Sequence, residues 1–364
     1  MNESIDQVPK LSKKQLRYIA RNQQKTARAA SLIYVTDQAP GIERRKEGDS
    51  FEYYFLAKKI SNDDDLDRIK RLVIPPAWTD VWICEKPNGH LQATGYDAKK
   101  RKQYRYHPHW NSLRNHTKFY RLLDFGRVLP HIRQQVAIDI NTPGLSLKKV
   151  LATIVQLLER TNIRVGNSFY EKTYGSFGLT TLQDRHVKFT DNSVRFAFVG
   201  KKGVPHNVTL KNKRLASIIK KCRDVPGKAL FQYYDDEGYR HPIDSGLVNN
   251  YIKELSHADF TAKDFRTWTG TVQAFLALKS IGCCDSAAEI KRRIVAALDI
   301  VSEQLGNTRT VCRKYYVHPL ILSLYESKKL EKYVDELDRL ENQLETDLAP
   351  EERIILKILR SGEN

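Results

Sequence analysis

Four cations stand where they could act on a phosphodiester. Arg164 lies in Asn162-Ile163-Arg164-Val165-Gly166-Asn167, just past a helical pattern, and Lys201 occupies a hairpin turn after Phe198-Val199-Gly200. Lys263 and Arg266 share Thr261-Ala262-Lys263-Asp264-Phe265-Arg266-Thr267, where i, i+3 spacing can put both on one helical face. A fifth feature is the run Lys99-Lys100-Arg101-Lys102-Gln103-Tyr104-Arg105-Tyr106-His107. Basic residues interleaved with aromatics suit a nucleic acid, with charge on phosphates and rings or amides against sugars and bases. Taken singly, each feature is also what an ordinary solvated surface carries. Phosphate-loop and His-Glu-x-x-His signatures are missing. Asp63-Asp64-Asp65 reads as a solvated face or a helix start, because three adjacent carboxylates cannot all face one ion from a helix. Phosphodiester chemistry here would need side-chain cations in place of a metal, and no cofactor is expected.

The elements that must hold these residues are legible in the periodicity. Val150, Ile154, Leu157 and Leu158 fall on one helical face, so a helix should deliver the chain to Arg164. Ile290, Ile294, Leu298, Val301 and Leu305 repeat the pattern, with Gly306 at the C-cap position. Between them Val194, Phe196 and Phe198 alternate with Arg195, Ala197 and Val199. The turns Asp191-Asn192 and Gly200-Lys201-Lys202-Gly203 flank that strand, and Asn207-Val208-Thr209-Leu210 follows, which predicts a three-stranded antiparallel sheet inserted among helices. Before residue 115 the chain reads as strands and loops. Phe51–Phe55 is a strand, the two prolines of Val73–Trp78 forbid helix, and Asn88-Gly89 turns between Val81–Ile83 and Leu91–Ala93. Leu330, Tyr333, Leu337, Leu340, Leu344 and Leu348 predict one amphipathic helix ending near Pro350.

The 364 residues exceed one compact core and fit two domains. The net charge is +18, but residues 331–364 carry ten acids and five bases, so the first 330 residues hold +23. Such a concentration of positive charge attracts a polyanion. Five cysteines, an odd number without Cys-x-x-Cys spacing, argue against a disulfide framework or a cysteine zinc site. No apolar run approaches the roughly 18 residues of a membrane span, and the start lacks a signal-peptide core. A cytoplasmic protein with no membrane partner is expected.

In chain order, Arg164, Lys201, Lys263-Asp264-Phe265-Arg266 and Leu305-Gly306-Asn307 through Lys314-Tyr315-Tyr316 resemble the active-site motifs of type IB DNA topoisomerases, in the poxvirus-like branch found in bacteria. Gly41-Ile42, Ile74-Pro75-Pro76-Ala77-Trp78 and Gly95-Tyr96-Asp97 extend the likeness, which runs from about residue 33 to residue 325. The resemblance implies an α+β protein. Residues 1–115 would form a small sheet-containing DNA-clamping domain. Residues 116–330 would form a mainly helical catalytic domain of the fold shared with tyrosine recombinases, and 331–364 an acidic helical extension.

The same resemblance implies the chemistry. Tyr316, nine residues past Asn307, would be the nucleophile rather than Tyr315, forming a DNA 3′-phosphotyrosine. Arg164 and Arg266 would donate to the non-bridging oxygens. Lys201 would protonate the leaving 5′ oxygen, with Lys263 as a relay or further cation. Asn307 stands where poxviral and nuclear enzymes have histidine; it can donate to the phosphate but cannot titrate. The lesser alternative is that it merely continues the helix cap begun by Gly306. Lys202 replaces a frequent aspartate. Gln103, Tyr104, Tyr106, Arg101 and Lys102 would contact double-stranded DNA. The expected enzyme is a monomer of the bacterial nucleoid that closes as a clamp, relaxes supercoils of both signs and reseals without ATP or metal.

Two other readings are consistent with parts of this pattern. Tyrosine site-specific recombinases share the catalytic fold and chemistry, but carry His-x-x-Arg where this chain has Lys263-Asp264-Phe265-Arg266, and they lack the Ile74–Trp78 stretch. A non-enzymatic DNA-binding protein would not need four catalytic cations and the tyrosine together.

Overall fold

The computed structural model describes Gln15, Ile19 and residues 23–48, 50–97, 102–117, 119–340 and 347–362. The chain divides into two compact units, Met1–Arg121 and Leu122–Asn364. The division falls slightly beyond the boundary expected near residue 115.

The first unit opens with α1 (Gln23–Ala29) and builds a six-stranded sheet from β1 (Ile42–Glu47), β2 (Ser50–Phe55), β3 (Lys58–Lys59), β4 (Thr79–Ile83), β5 (Leu91–Tyr96) and β6 (Lys102–Tyr106). Its order is β3-β2-β1-β4-β5-β6, with every neighbouring pair antiparallel. Between β3 and β4 lies α2 (Asp63–Arg71), capped by the Asn62 side chain; the three aspartates fill its first turn, where the positive end of the helix dipole favours them. The proline-bearing stretch after α2 is tied down by Arg44, whose guanidinium stacks on Phe51 and donates to the carbonyls of Pro75 at 3.1 Å and Trp78 at 2.6 Å. Helix α3 (Pro108–Thr117) packs Trp110 and Leu113 against Ala27 and Leu32.

The second unit is mainly helical. Helices α4 (Tyr120–Asp139), α5 (Leu147–Thr161) and α6 (Ser168–Tyr174) lead into the three-stranded sheet β7 (Val187–Phe189), β8 (Ser193–Val199) and β9 (Pro205–Lys211). Val194, Phe196 and Phe198 point inward from β8, as their alternation requires. After α7 (Lys213–Arg223) and the hairpin β10 (Gln232–Tyr234) and β11 (Arg240–Pro242) come α8 (Ser245–Ser256), α9 (Ala262–Ile281), α10 (Ala287–Leu305), α11 (Arg309–Tyr315), α12 (Pro319–Glu326), α13 (Glu331–Asp338) and α14 (Pro350–Ser361). One core joins α4, α5, α8, α9, α10 and α14.

The expectation of a single C-terminal helix ending near Pro350 is corrected. Among the described residues two helices occupy this region, and Pro350 begins the second, where a ring without an N–H costs nothing. Leu344 lies outside the described residues. Helix α14 joins the core: Glu352 accepts from Ala349 N at 2.9 Å, from Trp268 Nε1 at 2.8 Å and from both terminal nitrogens of Arg133. Trp268 is two residues past Arg266, so this buried network braces the helix that carries two of the candidate cations, Lys263 and Arg266.

Candidate active site

Each candidate in the second unit sits at an element end. Helix α5 starts at the Ser146 cap and stops at Asn162, which adopts the left-handed conformation (φ 56°). The chain then runs extended through Arg164, whose carbonyl accepts from Leu179 N at 2.9 Å, while Val165 O accepts from Thr180 N at 2.7 Å. Gly166 and Gly178 press together there: a Cβ on Gly178 would meet Arg164 O at 2.6 Å, so the backbone beneath Arg164 is fixed by close contact.

Lys201 opens the turn between β8 and β9. Gly200 N donates to Val204 O at 2.7 Å and closes the hairpin, and Lys202 holds a left-handed position (φ 64°). That conformation suits glycine, asparagine and aspartate better than other residues. Lys202 fills it with a second charge instead.

In the segment Lys263–Arg266 each side chain has a separate task. Asp264 caps α9, accepting from Thr261 N at 2.8 Å and Thr261 Oγ1 at 3.0 Å. Phe265 is buried edge-to-face on Phe125 at 5.0 Å. Lys263 stays exposed, whereas Arg266 is buried. Arg266 donates to Leu305 O at 2.7 Å and to Asn162 O, and its guanidinium carbon lies 5.2 Å from the Tyr316 ring centroid. It thereby links the C-terminal ends of α5 and α10 to the tyrosine.

Gly306 is the left-handed C-cap of α10 (φ 56°), and Asn307 N donates back to Ser302 O at 2.9 Å. The Asn307 side chain then does more than cap. Its Oδ1 accepts from Arg164 Nη2 at 2.8 Å, and the same nitrogen reaches Gly306 O at 3.0 Å. Asn307 Nδ2 donates to Leu305 O at 3.2 Å. The cap and the site are one feature.

Tyr316 ends α11, and its carbonyl accepts from Thr271 Oγ1 at 3.2 Å. Gly270, in the interior of α9, makes this approach sterically feasible: a Cβ there would meet Tyr316 O at 2.7 Å and Tyr316 Cβ at 3.0 Å. Sequence reasoning missed Gly270, although an interior helical glycine, costing about 1 kcal/mol against alanine, is itself a signal of close packing. Tyr315 carries Lys314 over its ring at 5.5 Å, whereas Tyr316 lies beneath Arg266.

The electrostatics of the cluster are those of a site awaiting an anion. Burial, then the Arg266 charge, bring the Arg164 guanidinium down to about 10. Desolvation by its surroundings, then Arg164, Lys202 and Lys263, push the Lys201 ammonium below its ordinary 10.5. Among the described residues, no carboxylate pairs with Arg164, Lys201, Lys263 or Arg266. The hydrogen bonds made by the two guanidiniums go to neutral oxygens.

These contacts fix what Asn307 should contribute. Asn307→Ala removes the acceptor that orients Arg164, a hydrogen bond to a charged group worth about 1.5–3 kcal/mol. Single-turnover cleavage of a labelled duplex should slow by one to two orders of magnitude while equilibrium DNA binding holds. Asn307→His should stay active. Wild-type cleavage by Asn307→Ala would reduce the residue to its cap.

In the first unit the alternation of β6 divides the candidate DNA contacts. Tyr104 and Tyr106 stack at 5.9 Å on one face, and Lys102 Nζ lies 5.9 Å from the Tyr104 ring centroid. Lys102 pairs with Asp37, and Tyr104 is exposed. Gln103 is on the opposite face and donates to Asp97 at 3.0 Å. Arg101 lies outside the described residues.

Known proteins resemble this chain along both units. Residues 100–345 match the family described as eukaryotic DNA topoisomerase I, catalytic core, and residues 50–97 match bacterial DNA topoisomerase IB, N-terminal domain. DNA topoisomerase 1B of Acanthamoeba polyphaga mimivirus is 34% identical over 295 residues, covering 79% of this chain and 88% of the relative. DNA topoisomerase 1B of Vaccinia virus (strain Copenhagen) is 24% identical over 294 residues, covering 78% and 89%. DNA topoisomerase 1 of Rabbit fibroma virus is 23% identical over 264 residues, covering 70% and 79%.

Proposed function

This chain belongs to the type IB DNA topoisomerases, and on that premise we propose that Tyr316, Arg164, Lys201, Lys263, Arg266 and Asn307 cut and reseal one strand of duplex DNA. The observation that carries this reading is the convergence of cations, none paired with a carboxylate among the described residues, about one tyrosine. The Tyr316 hydroxyl attacks the scissile phosphorus and loses its proton to solvent. The new P–O bond forms as the P–O5′ bond breaks, and Lys201 passes a proton to the departing 5′ oxygen. Arg164 and Arg266 take up the charge that grows on the non-bridging oxygens; Asn307 holds Arg164, and Lys263 adds charge beside Lys201. The 3′-phosphotyrosine conserves the energy of the broken bond. Resealing is therefore the reverse transfer and needs no ATP, and rotation about the intact strand releases supercoils of either sign.

We read the helical unit as the catalytic fold shared with tyrosine recombinases, the working form as a monomer and its place as the bacterial nucleoid. Lys102, Tyr104 and Tyr106 form one candidate DNA-facing set on β6, with Gln103 and Arg101 as further contacts. Relaxation of supercoiled plasmid in EDTA without ATP tests the activity directly. Full relaxation is expected, and a requirement for ATP or a divalent metal would overturn the reading.

Binding should also be strongly salt-dependent, because the +23 of the first 330 residues displaces counterions from DNA. Six to ten phosphate contacts would lose roughly three to five decades of affinity between about 50 and 200 mM salt. A titration showing flat affinity over that range would contradict a phosphate-dominated interface.

A further inference from the structure

His206, at the start of β9, faces Phe198 across the hairpin, and the two rings stack at 5.0 Å with 9° between their planes. Two glycines make room for this imidazole. A Cβ on Gly200 would lie 2.5 Å from its Cδ2, and a Cβ on Gly306 would lie 2.9 Å from its Cε1. Gly306 also needs glycine for its left-handed backbone, but Gly200 is extended (φ −93°, ψ −165°), a conformation open to any residue. Space for the His206 ring is thus the demand at Gly200. Gly200 immediately precedes Lys201, and Gly306 immediately precedes Asn307, so one ring touches the base of the general-acid hairpin and the turn that holds Arg164.

Neither nitrogen of His206 makes a hydrogen bond among the described residues, and what the geometry shows is a ring filling a slot between two glycines. Burial, then the charges of Arg164 and Arg266, push its pKa below the ordinary value, which disfavours adding a fifth cation to the cluster.

We propose that His206 is a positioning residue for proton transfer, a spacer that sets Lys201 against the Asn307–Arg164 turn through Gly200 and Gly306. The proposal rests on reading Lys201 as the general acid. Its chemistry is that of the step above: the proton on Lys201 Nζ goes to O5′ as P–O5′ breaks, and returns when the 5′ hydroxyl attacks the phosphotyrosine. Misplacing a reacting group by about 1 Å can cost a hundredfold. Removal of the spacer should act on this transfer and leave DNA binding alone.

The test compares single-turnover cleavage of two duplexes, one ordinary and one with sulfur replacing the bridging 5′ oxygen at the scissile phosphate. A thiol has a pKa of about 8.5 and leaves as thiolate without a proton donor. With the ordinary duplex, His206→Ala is expected to cleave roughly tenfold to a hundredfold more slowly at unchanged DNA affinity. With the sulfur duplex it should cleave near the wild-type rate. His206→Phe, which keeps a flat ring in the slot, should restore most of the ordinary rate. Should His206→Ala not fold, Gly200→Ala, which crowds the same ring, carries the same comparison. Equal slowing on both duplexes, or no slowing on the ordinary one, would overturn the proposal. Lys201→Ala is the control: if sulfur fails to rescue it, the general-acid assignment itself falls, whereas rescue of Lys201→Ala but not of His206→Ala removes the spacer alone.

Discussion

Replacing Tyr316 with phenylalanine is expected to abolish covalent capture of DNA while leaving affinity and folding intact. The substitution removes one oxygen and keeps the ring, so the face beneath the Arg266 guanidinium and the packing against Gly270 persist. Without that oxygen no phosphotyrosine can form, and relaxation should fall to the background of the assay. Tyr315→Phe should retain covalent chemistry, because the ring beneath Arg266 belongs to Tyr316 and Tyr315 lies beneath Lys314. The measurement is detergent trapping of a labelled duplex during the reaction, followed by peptide mapping of the protein-linked DNA. An adduct on Tyr315, or plasmid relaxation by Tyr316→Phe, would sink the assignment. An adduct at the 5′ phosphate would contradict the proposed 3′-phosphotyrosyl chemistry altogether.

What the sequence made legible was local, because its signals are local. The period of Val150–Leu158, the alternation of Val194–Phe198 and the glycine after Leu305 each report a few neighbouring residues, and each element formed where its pattern lies. The partners of the site side chains carry no such signal. Arg266 reaches the carbonyls of Asn162 and Leu305, far away along the chain, and nothing in either segment announces an acceptor. His206 was invisible for the same reason, since a ring between two glycines exists only after the elements pack; Gly270 signalled close packing in its helix but not which residue would press against it. At the C-terminus the leucine spacing continued through a break, because spacing alone does not say where a cap interrupts it. The Glu352 carboxylate, accepting from Ala349 N at the start of α14, decides that point. On β6 the grouping of Gln103 with Tyr104 and Tyr106 followed order along the chain, while the two-residue repeat of a strand puts the glutamine on the other face.

The electrostatics of the hairpin lead to the second large effect. Lys201→Ala should slow strand cleavage by roughly 10²–10⁴-fold, the usual contribution of a general acid, with DNA binding little changed. The wild-type pH profile should carry the same group. A general acid works in its protonated form, so the rate falls as pH rises through its pKa. Because desolvation and then Arg164, Lys202 and Lys263 hold Lys201 below 10.5, the fall should begin at lower pH than for a free lysine, and Lys201→Ala should flatten it. Lys202→Asp replaces a neighbouring positive charge with a negative one, which favours the ammonium form and raises the Lys201 pKa. The alkaline limb should then move to higher pH, while the rate in the neutral plateau changes little. Single-turnover cleavage measured from neutral to alkaline pH with the three proteins makes the comparison. A limb that survives in Lys201→Ala, or that moves to lower pH in Lys202→Asp, would take the proton away from Lys201 and require another donor for the 5′ oxygen.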